Sequence, residues 1–189
     1  SLKDAQKRNF YLDFYLNRDT VVDGCGQLSL PSASKLWFTP DGHWKEPGGY
    51  HNYPVSKLIE AALMLENNGY QIFNQYPILL NASYVMLKYS FPDLTASAFG
   101  DTGRPRQSME CLESAILMAD KYQLPILPDL LNAAMILEQA GQYDRSKSGL
   151  TGLLCYLPEL PKAKSGDNHL WNRSCLLYTS PSPRDPKTS

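Results

Sequence analysis

The stretch Asp41-Gly42-His43-Trp44-Lys45-Glu46-Pro47-Gly48-Gly49-Tyr50-His51-Asn52-Tyr53 gathers two of the chain's three histidines, a tryptophan, two tyrosines and three glycines. It runs straight into Val55, Leu58, Ile59, Ala62 and Leu63. That apolar spacing follows the i, i+3, i+4, i+7, i+8 pattern of an amphipathic helix. A Gly-rich turn lets the backbone approach a neighbour closely, and the helix start then fixes the side chains that follow. Aromatic and imidazole groups gathered at such a turn suit a sugar-binding or proton-transfer site. They also suit a surface loop with aromatics packed beneath it.

Outward from this stretch the chain reads as helix after helix. Asn68-Gly69 stops the first one. Ile78, Ala82, Val85, Met86 and Tyr89 place a helix over Pro77 to Ser90, with Pro77 in the first turn. Cys111, Ala115, Met118 and Tyr122, beside Leu112, Ile116 and Ala119, place another over Gln107 to Lys121. Leu130, Leu131, Ala134 and Leu137 place a fourth over Pro128 to Ala140, before Gly141. Upstream, Phe10, Phe14, Tyr11 and Tyr15 line one face of a helix over residues 1–19, ended by Asp23-Gly24-Cys25-Gly26. Residues 24–40 read as a loop passing over Trp37 and Phe38. Leu150 to Leu157 is a short apolar run that suits helix or strand. No alternating pattern or hairpin dipeptide stands out as a strand signal. The expected fold class is all-α, and the absence of a strict repeat disfavours a TPR-like array.

The 189 residues are 43% hydrophobic and 11% aromatic, with a formal net charge of -1, enough for one sizeable core. Near-neutral charge argues against nucleic acid or an anionic membrane surface as the main partner, and no apolar run has the length of a membrane span. Cys25, Cys111, Cys155 and Cys175 lack metal-binding spacing, so no metal and no cofactor is expected. Cys111 and Cys155 read as isolated buried thiols. There is no initiator Met and no signal peptide, which suggests a chain cut at its N-terminus. Cys175-Leu176-Leu177-Tyr178-Thr179-Ser180-Pro181-Ser182-Pro183-Arg184-Asp185 resembles the translated read-through of a transposase adapter used in sequencing libraries. Residues 175–189 are therefore expected to be a disordered, non-native tail.

The pattern Asp-Gly-x-Trp-x-Glu-x-x-x-Tyr-His-x-Tyr over Asp41 to Tyr53, followed by an amphipathic helix, resembles the heparinase II/III-like polysaccharide lyases. Phe99-Gly100-Asp101-Thr102-Gly103, two helices later, resembles a Gly-Asp loop of the same family. The resemblance covers roughly residues 1–160. It implies that residues 1–170 are part of an incomplete (α/α) toroid of antiparallel helix pairs. It also implies β-elimination at a 4-linked uronic acid, with an acidic polysaccharide as the partner. In that reaction a proton leaves C5 and the C4 glycosidic oxygen receives one. Charge building on the uronate carboxylate needs neutralising donors. A tyrosine can serve as base and then acid, provided donors or a cation stabilise its phenolate against an ordinary pKa of about 10.

By match to the motif, Tyr50 carries this proton transfer. The other candidates are substrate-binding residues: His51, Trp44, Glu46, Tyr53 and His43. Neighbouring side chains on a helix start diverge by roughly 100°, so His51 supports the loop or touches substrate rather than sharing the role of Tyr50. Trp44 stacks on a sugar face or packs in the core. Glu46, a carboxylate facing a polyanion, fits loop support better than direct contact, and Tyr53 fits core packing. Asp101 fits loop orientation or capping.

The family's carboxylate-neutralising Asn or His has no convincing counterpart before Tyr50, since Asn9 and Asn17 sit on a helix of the wrong character. Its later His and its C-terminal β-sandwich domain have none either, with His169 poorly placed. The expectation is a fragment, lacking N-terminal helices and the β-sandwich domain, inactive by itself, with incompletely covered helix faces. Two alternatives stay open: a carbohydrate-binding or degenerate toroid, and a glycoside hydrolase, for which Glu46 and Asp101 are the only site-like carboxylate pair. Arg104 and Arg106 are too few to mark a sulfated ligand, so the kind of polyuronate stays open. The resemblance alone implies a periplasmic or secreted protein.

Overall fold

The computed structural model describes residues 3–22, 24–46, 48–91, 94–96, 106–142 and 149–155. Among these residues the secondary structure is mainly helical: α1 Ala5–Leu16, α2 Leu30–Leu36, α3 Asn52–Glu66, α4 Ile72–Gln75, α5 Pro77–Lys88, α6 Met109–Lys121, α7 Leu127–Gln139 and α8 Gly149–Leu154. A single 3₁₀ turn, Gly48–His51, leads into α3. The all-α expectation holds, with one small addition. The Phe99–Gly103 segment, Asp101, His169 and the adapter-like tail lie outside the described residues.

That addition is an antiparallel pair, β1 Thr20–Val22 and β2 Cys25–Gln27, in the register Thr20↔Gln27, Val21↔Gly26 and Val22↔Cys25. Gly24 thus lies in the turn of a hairpin, where the sequence suggested only a helix stop. Three-residue strands are too short to show an alternating pattern, and β2 is exposed along its whole length. Within the expected 24–40 loop, α2 also forms. Its Pro31 sits in the first turn, where a missing N–H costs nothing. Asp19 holds the entry by accepting from Ser29 N–H and Ser29 Oγ, both at 2.8 Å, and from Ser32 Oγ at 2.7 Å. These bonds keep the Asp19 carboxyl below the usual range, led by the one from Ser32.

The core forms where α3, α5, α6 and α7 meet, with α6 touching α3, α5, α7 and α8. Most of the apolar lines read from sequence are buried: Val55, Ile59, Ala62 and Leu63 on α3; Cys111, Leu112, Ala115, Ile116, Met118 and Ala119 on α6; Leu130, Leu131, Ala134 and Leu137 on α7, while Leu58 and Tyr122 are partly buried against the core. Helix α5 is buried on nearly all sides, from Leu79 to Leu87. Even its Ser83 is buried, with Oγ donating to Leu79 O at 2.8 Å. Cys111 and Cys155 are buried thiols that form no disulfide among the described residues, as expected. Burial pushes the Cys111 thiol up to about 12 and the Cys155 thiol up to about 11.

Helix α1 departs from its expected amphipathic role. None of its residues is buried, and Phe10 and Tyr11 lie on the surface. Phe10 stacks on Phe14, and Arg18 lies over the Phe10 ring. Only Tyr15 and Leu16 reach the core edge. At the opposite end, Glu66 closes α3 against α6 and α4. It is buried, yet Lys121 Nζ stands 2.6 Å from Oε1, Tyr122 OH donates to the same oxygen, and Phe73 N–H donates to Oε2 at 3.4 Å. Burial opposes charge on Glu66, but these donors outweigh it and hold the carboxyl below its ordinary range.

Candidate functional site

The motif begins as a tight hairpin. Gly42 N–H donates to Thr39 O at 2.9 Å, Thr39 N–H to His43 O at 2.8 Å and Lys45 N–H to Trp37 O at 3.0 Å, while Phe38 pairs with Trp44. Thr39-Pro40-Asp41-Gly42 is the turn. Pro40 favours its second position, and Gly42 has a φ of +96°, a conformation that other residues adopt at a cost. Gly42 is also jammed against α5. A Cβ there would lie 2.7 Å from Ala82 N and 2.8 Å from Asn81 Cβ. The glycine is therefore set by a close approach as much as by its turn.

His51 makes the second attachment to the same point of α5. Its ring is 1% exposed. Trp44 N–H donates to Nδ1 at 2.9 Å, and Nε2–H donates to Ala82 O at 2.9 Å. This fixes the neutral tautomer with its proton on Nε2. Burial lowers the imidazole to about 4, more than the bond to Ala82 raises it. Of the two parts left open for His51, the geometry gives it loop support. Both ring nitrogens serve the backbone, and none remains for substrate.

A third attachment was not legible as one. Tyr89, read from sequence as part of the buried face of its helix, is 49% exposed. Its OH donates to Asp41 Oδ2, and Thr39 Oγ1 donates to Asp41 Oδ1. The bond to Asp41 raises the Tyr89 phenol to about 12, and the Thr39 and Tyr89 bonds hold the Asp41 carboxyl down. Ala82 and Tyr89 are seven apart, two helical turns on one line of α5. That spacing is the signal that could have paired Tyr89 with the motif.

Of the remaining candidates, Trp44 is half-buried between Trp37, at 5.2 Å between ring centroids, and Phe38, edge-on at 5.5 Å. Its ring is committed to packing, and its Nε1 is buried without a hydrogen-bond partner. Glu46 is exposed. Tyr53 was expected in the core but is 74% exposed. It precedes Val55 by two positions, which turns it about 200° from the buried face of α3. Tyr50 stands on the 3₁₀ turn, 47% exposed, immediately before the pinned His51. His43 is half-buried, and its Nδ1–H donates to Trp44 O at 2.6 Å. The His43 ring lies 5.0 Å from that of His51 and 5.3 Å from that of Tyr89.

The roots of the Gly-Asp segment also reach the motif. Thr95 pairs with Arg106, and Asn52 Nδ2, at the start of α3, donates to Arg106 O at 2.7 Å. Gln107 Nε2 then donates to Ser83 O of α5 at 2.7 Å. Among the described residues, no group of three or more His, Cys, Asp or Glu side chains is arranged to hold a metal ion, and no helix is long and apolar enough to cross a membrane.

No protein-family model matches the chain, and comparison with curated proteins and with solved structures finds no match either.

Proposed function

We propose that this chain is the motif-bearing helical part of a polysaccharide lyase that cleaves a 4-linked uronate chain by β-elimination. The observation that carries the reading is the contrast between Tyr50 and His51. A phenol is presented at the surface by a turn whose next residue is pinned at both ring nitrogens. Positioning of this kind is what proton transfer from carbon requires. In the reaction the Tyr50 phenolate removes the C5 proton. The C4–O bond breaks as C4=C5 forms, and the new phenol returns its proton to the departing oxygen. On this reading α3 to α7 belong to an (α/α) toroid, and an exported protein acts on an acidic polysaccharide.

The test uses protein expressed from the longest reading frame that contains this chain, incubated with alginate, polygalacturonate and heparin-like chains. Product is followed by the ultraviolet absorbance of the unsaturated uronate. Tyr50→Phe is expected to lower kcat by about 10²-fold or more, the scale of a lost acid–base group, in protein that remains folded by circular dichroism. Full activity in Tyr50→Phe would overturn the assignment. The exposure of Tyr50, Tyr53 and Tyr89 also favours a second reading, a sugar-binding surface without elimination. That reading requires binding with no unsaturated product at all. A glycoside hydrolase would release ends that lack the double bond.

A further inference from the structure

Three attachments hold the motif hairpin, Trp37 to Lys45, against one line of α5. Gly42 lies against the backbone of Asn81 and Ala82. His51 bridges Trp44 N–H to Ala82 O. Tyr89 OH donates to Asp41. We propose that these contacts form an acid-released latch, in which protonation of His51 frees the hairpin from α5 as a local unit while the helical core stays folded. The two polar attachments share a requirement. His51 Nδ1 accepts from Trp44 N–H only through the lone pair of the neutral ring, since an imidazolium has two donors and no acceptor. Protonated in place, it would turn an N–H toward that of Trp44 in a site 1% exposed. Asp41 likewise holds Tyr89 most strongly as a carboxylate. The core beneath rests on apolar residues such as Ile59, Ile116 and Leu130, which carry no titrating group. Phe38 and Trp44 pack against it, so the latch is shut while His51 is neutral. Openings of this kind have a free energy of their own, below that of global unfolding.

Acid reaches His51 before it reaches the carboxylates. Burial lowers the imidazole from 6.5 to about 4, whereas Asp41, Asp19 and Glu66 are all held below the ordinary carboxylate range. Between pH 6.5 and 4 the latched hairpin excludes a proton that the open one binds. The open population therefore rises about tenfold per pH unit of acidification, or about 300-fold over the interval. The groups around His51 come from three elements. From the hairpin, the charge of His43 opposes a second one on His51, and Asp41 favours it. From α5 comes Tyr89, whose phenol is raised to about 12 and stays uncharged. From the 3₁₀ turn comes the exposed Tyr50. Because Tyr50 immediately precedes His51, opening also takes Tyr50 off its support. The latch is a property of the hairpin and holds whatever reaction Tyr50 serves.

Amide hydrogen exchange, read residue by residue by NMR, tests the latch as pH is lowered from 6.5 toward 4 and in urea too dilute to unfold the chain. The reporter is Trp44 N–H, which bonds to His51 itself. The comparison amides are those of the buried Ile116 and Ala134, in the middle of α6 and α7. Corrected for intrinsic rates, Trp44 protection is expected to fall about tenfold per pH unit and to be insensitive to urea, because lifting a hairpin exposes little surface. Ile116 and Ala134 are expected to stay better protected at every pH and to lose protection as urea is added. Tyr89→Phe removes the second polar attachment from an exposed ring. It is expected to speed Trp44 exchange about tenfold at every pH with the same pH slope, and His51→Gln to abolish that slope. Trp44 protection that follows urea as steeply as that of Ile116 would overturn the latch, since the hairpin would then leave only with the whole fold. A pH slope that survives in His51→Gln would overturn it too. So would Trp44 exchange unchanged in Tyr89→Phe, which would mean that the His51 bond breaks with the hairpin still in place.

Discussion

Replacing Gly42 by alanine tests whether the motif hairpin is seated on α5 as the geometry requires. Two costs add at this position. An L-residue held at a φ of +96° carries strain of about 1–2 kcal/mol. The new Cβ would also sit 2.7 Å from Ala82 N and 2.9 Å from Asn81 C, both backbone atoms of a buried helix that cannot step aside. The hairpin has to lift instead, stretching the His51–Ala82 bond, a loss on the order of 1–2 kcal/mol for a buried polar contact. The total is about 3 kcal/mol, or roughly 6–12 °C in melting temperature for a domain of this size. Gly24 supplies the control. It has a φ of +79°, but a Cβ there meets nothing within 4 Å, so Gly24→Ala carries only the conformational cost of about 1–2 kcal/mol. Urea unfolding followed by circular dichroism is expected to show both midpoints lowered at unchanged slope, with Gly42→Ala lowered about twice as far. Equal losses in the two variants would refute the close approach of the hairpin to α5.

The buried neutral His51 gives a pH signature. Its imidazole falls to about 4 in the folded chain against 6.5 for the free side chain, so between those values the unfolded chain binds the extra proton. Stability is then full above pH 6.5 and falls by about 3 kcal/mol as pH drops toward 4; urea midpoints across this range should lose that slope in His51→Gln. Glu66, held below its ordinary range, stabilises the fold above that range and ceases to as pH falls through its folded value. Glu66→Gln is expected to cost about 2 kcal/mol by removing the charged partner of Lys121 and Tyr122, read as a lower urea midpoint at neutral pH.

The helices of the core were legible because their apolar residues repeat at helical spacing over three or more turns, as at Val55 to Leu63 and Cys111 to Ala119. What escaped notice was short or depended on partners far along the chain. Strands of three residues carry no period, and α2 hid behind Pro31, which reads as a breaker until its place in the first turn is known. The aromatics of α1 have helical spacing, but spacing cannot say whether a neighbour covers them, and Phe10 and Tyr11 are exposed. At the site, the Asp-Gly turn and the two histidines were visible as residue types. Their division of labour was not, because it follows from α5, about thirty residues further on. Tyr89 joined the wrong list for the same reason: its line on the helix ends where the core does and the motif begins.

That division bears on how a motif of this kind should be mutated. Tyr50-His51 looks like a catalytic pair in sequence, yet a change at His51 removes the link between the hairpin and Ala82 before it removes any chemistry. Loss of activity in a His51 variant would therefore not identify His51 as a proton carrier, since a displaced Tyr50 gives the same loss. The two causes separate in the stability measurement. A His51 variant is expected to lower the urea midpoint in step with its loss of activity, whereas Tyr50→Phe, which changes one oxygen on an exposed ring, is expected to lower turnover far more than any change in its midpoint accounts for. Only a residue whose replacement lowers turnover out of proportion to that midpoint belongs to the reacting group.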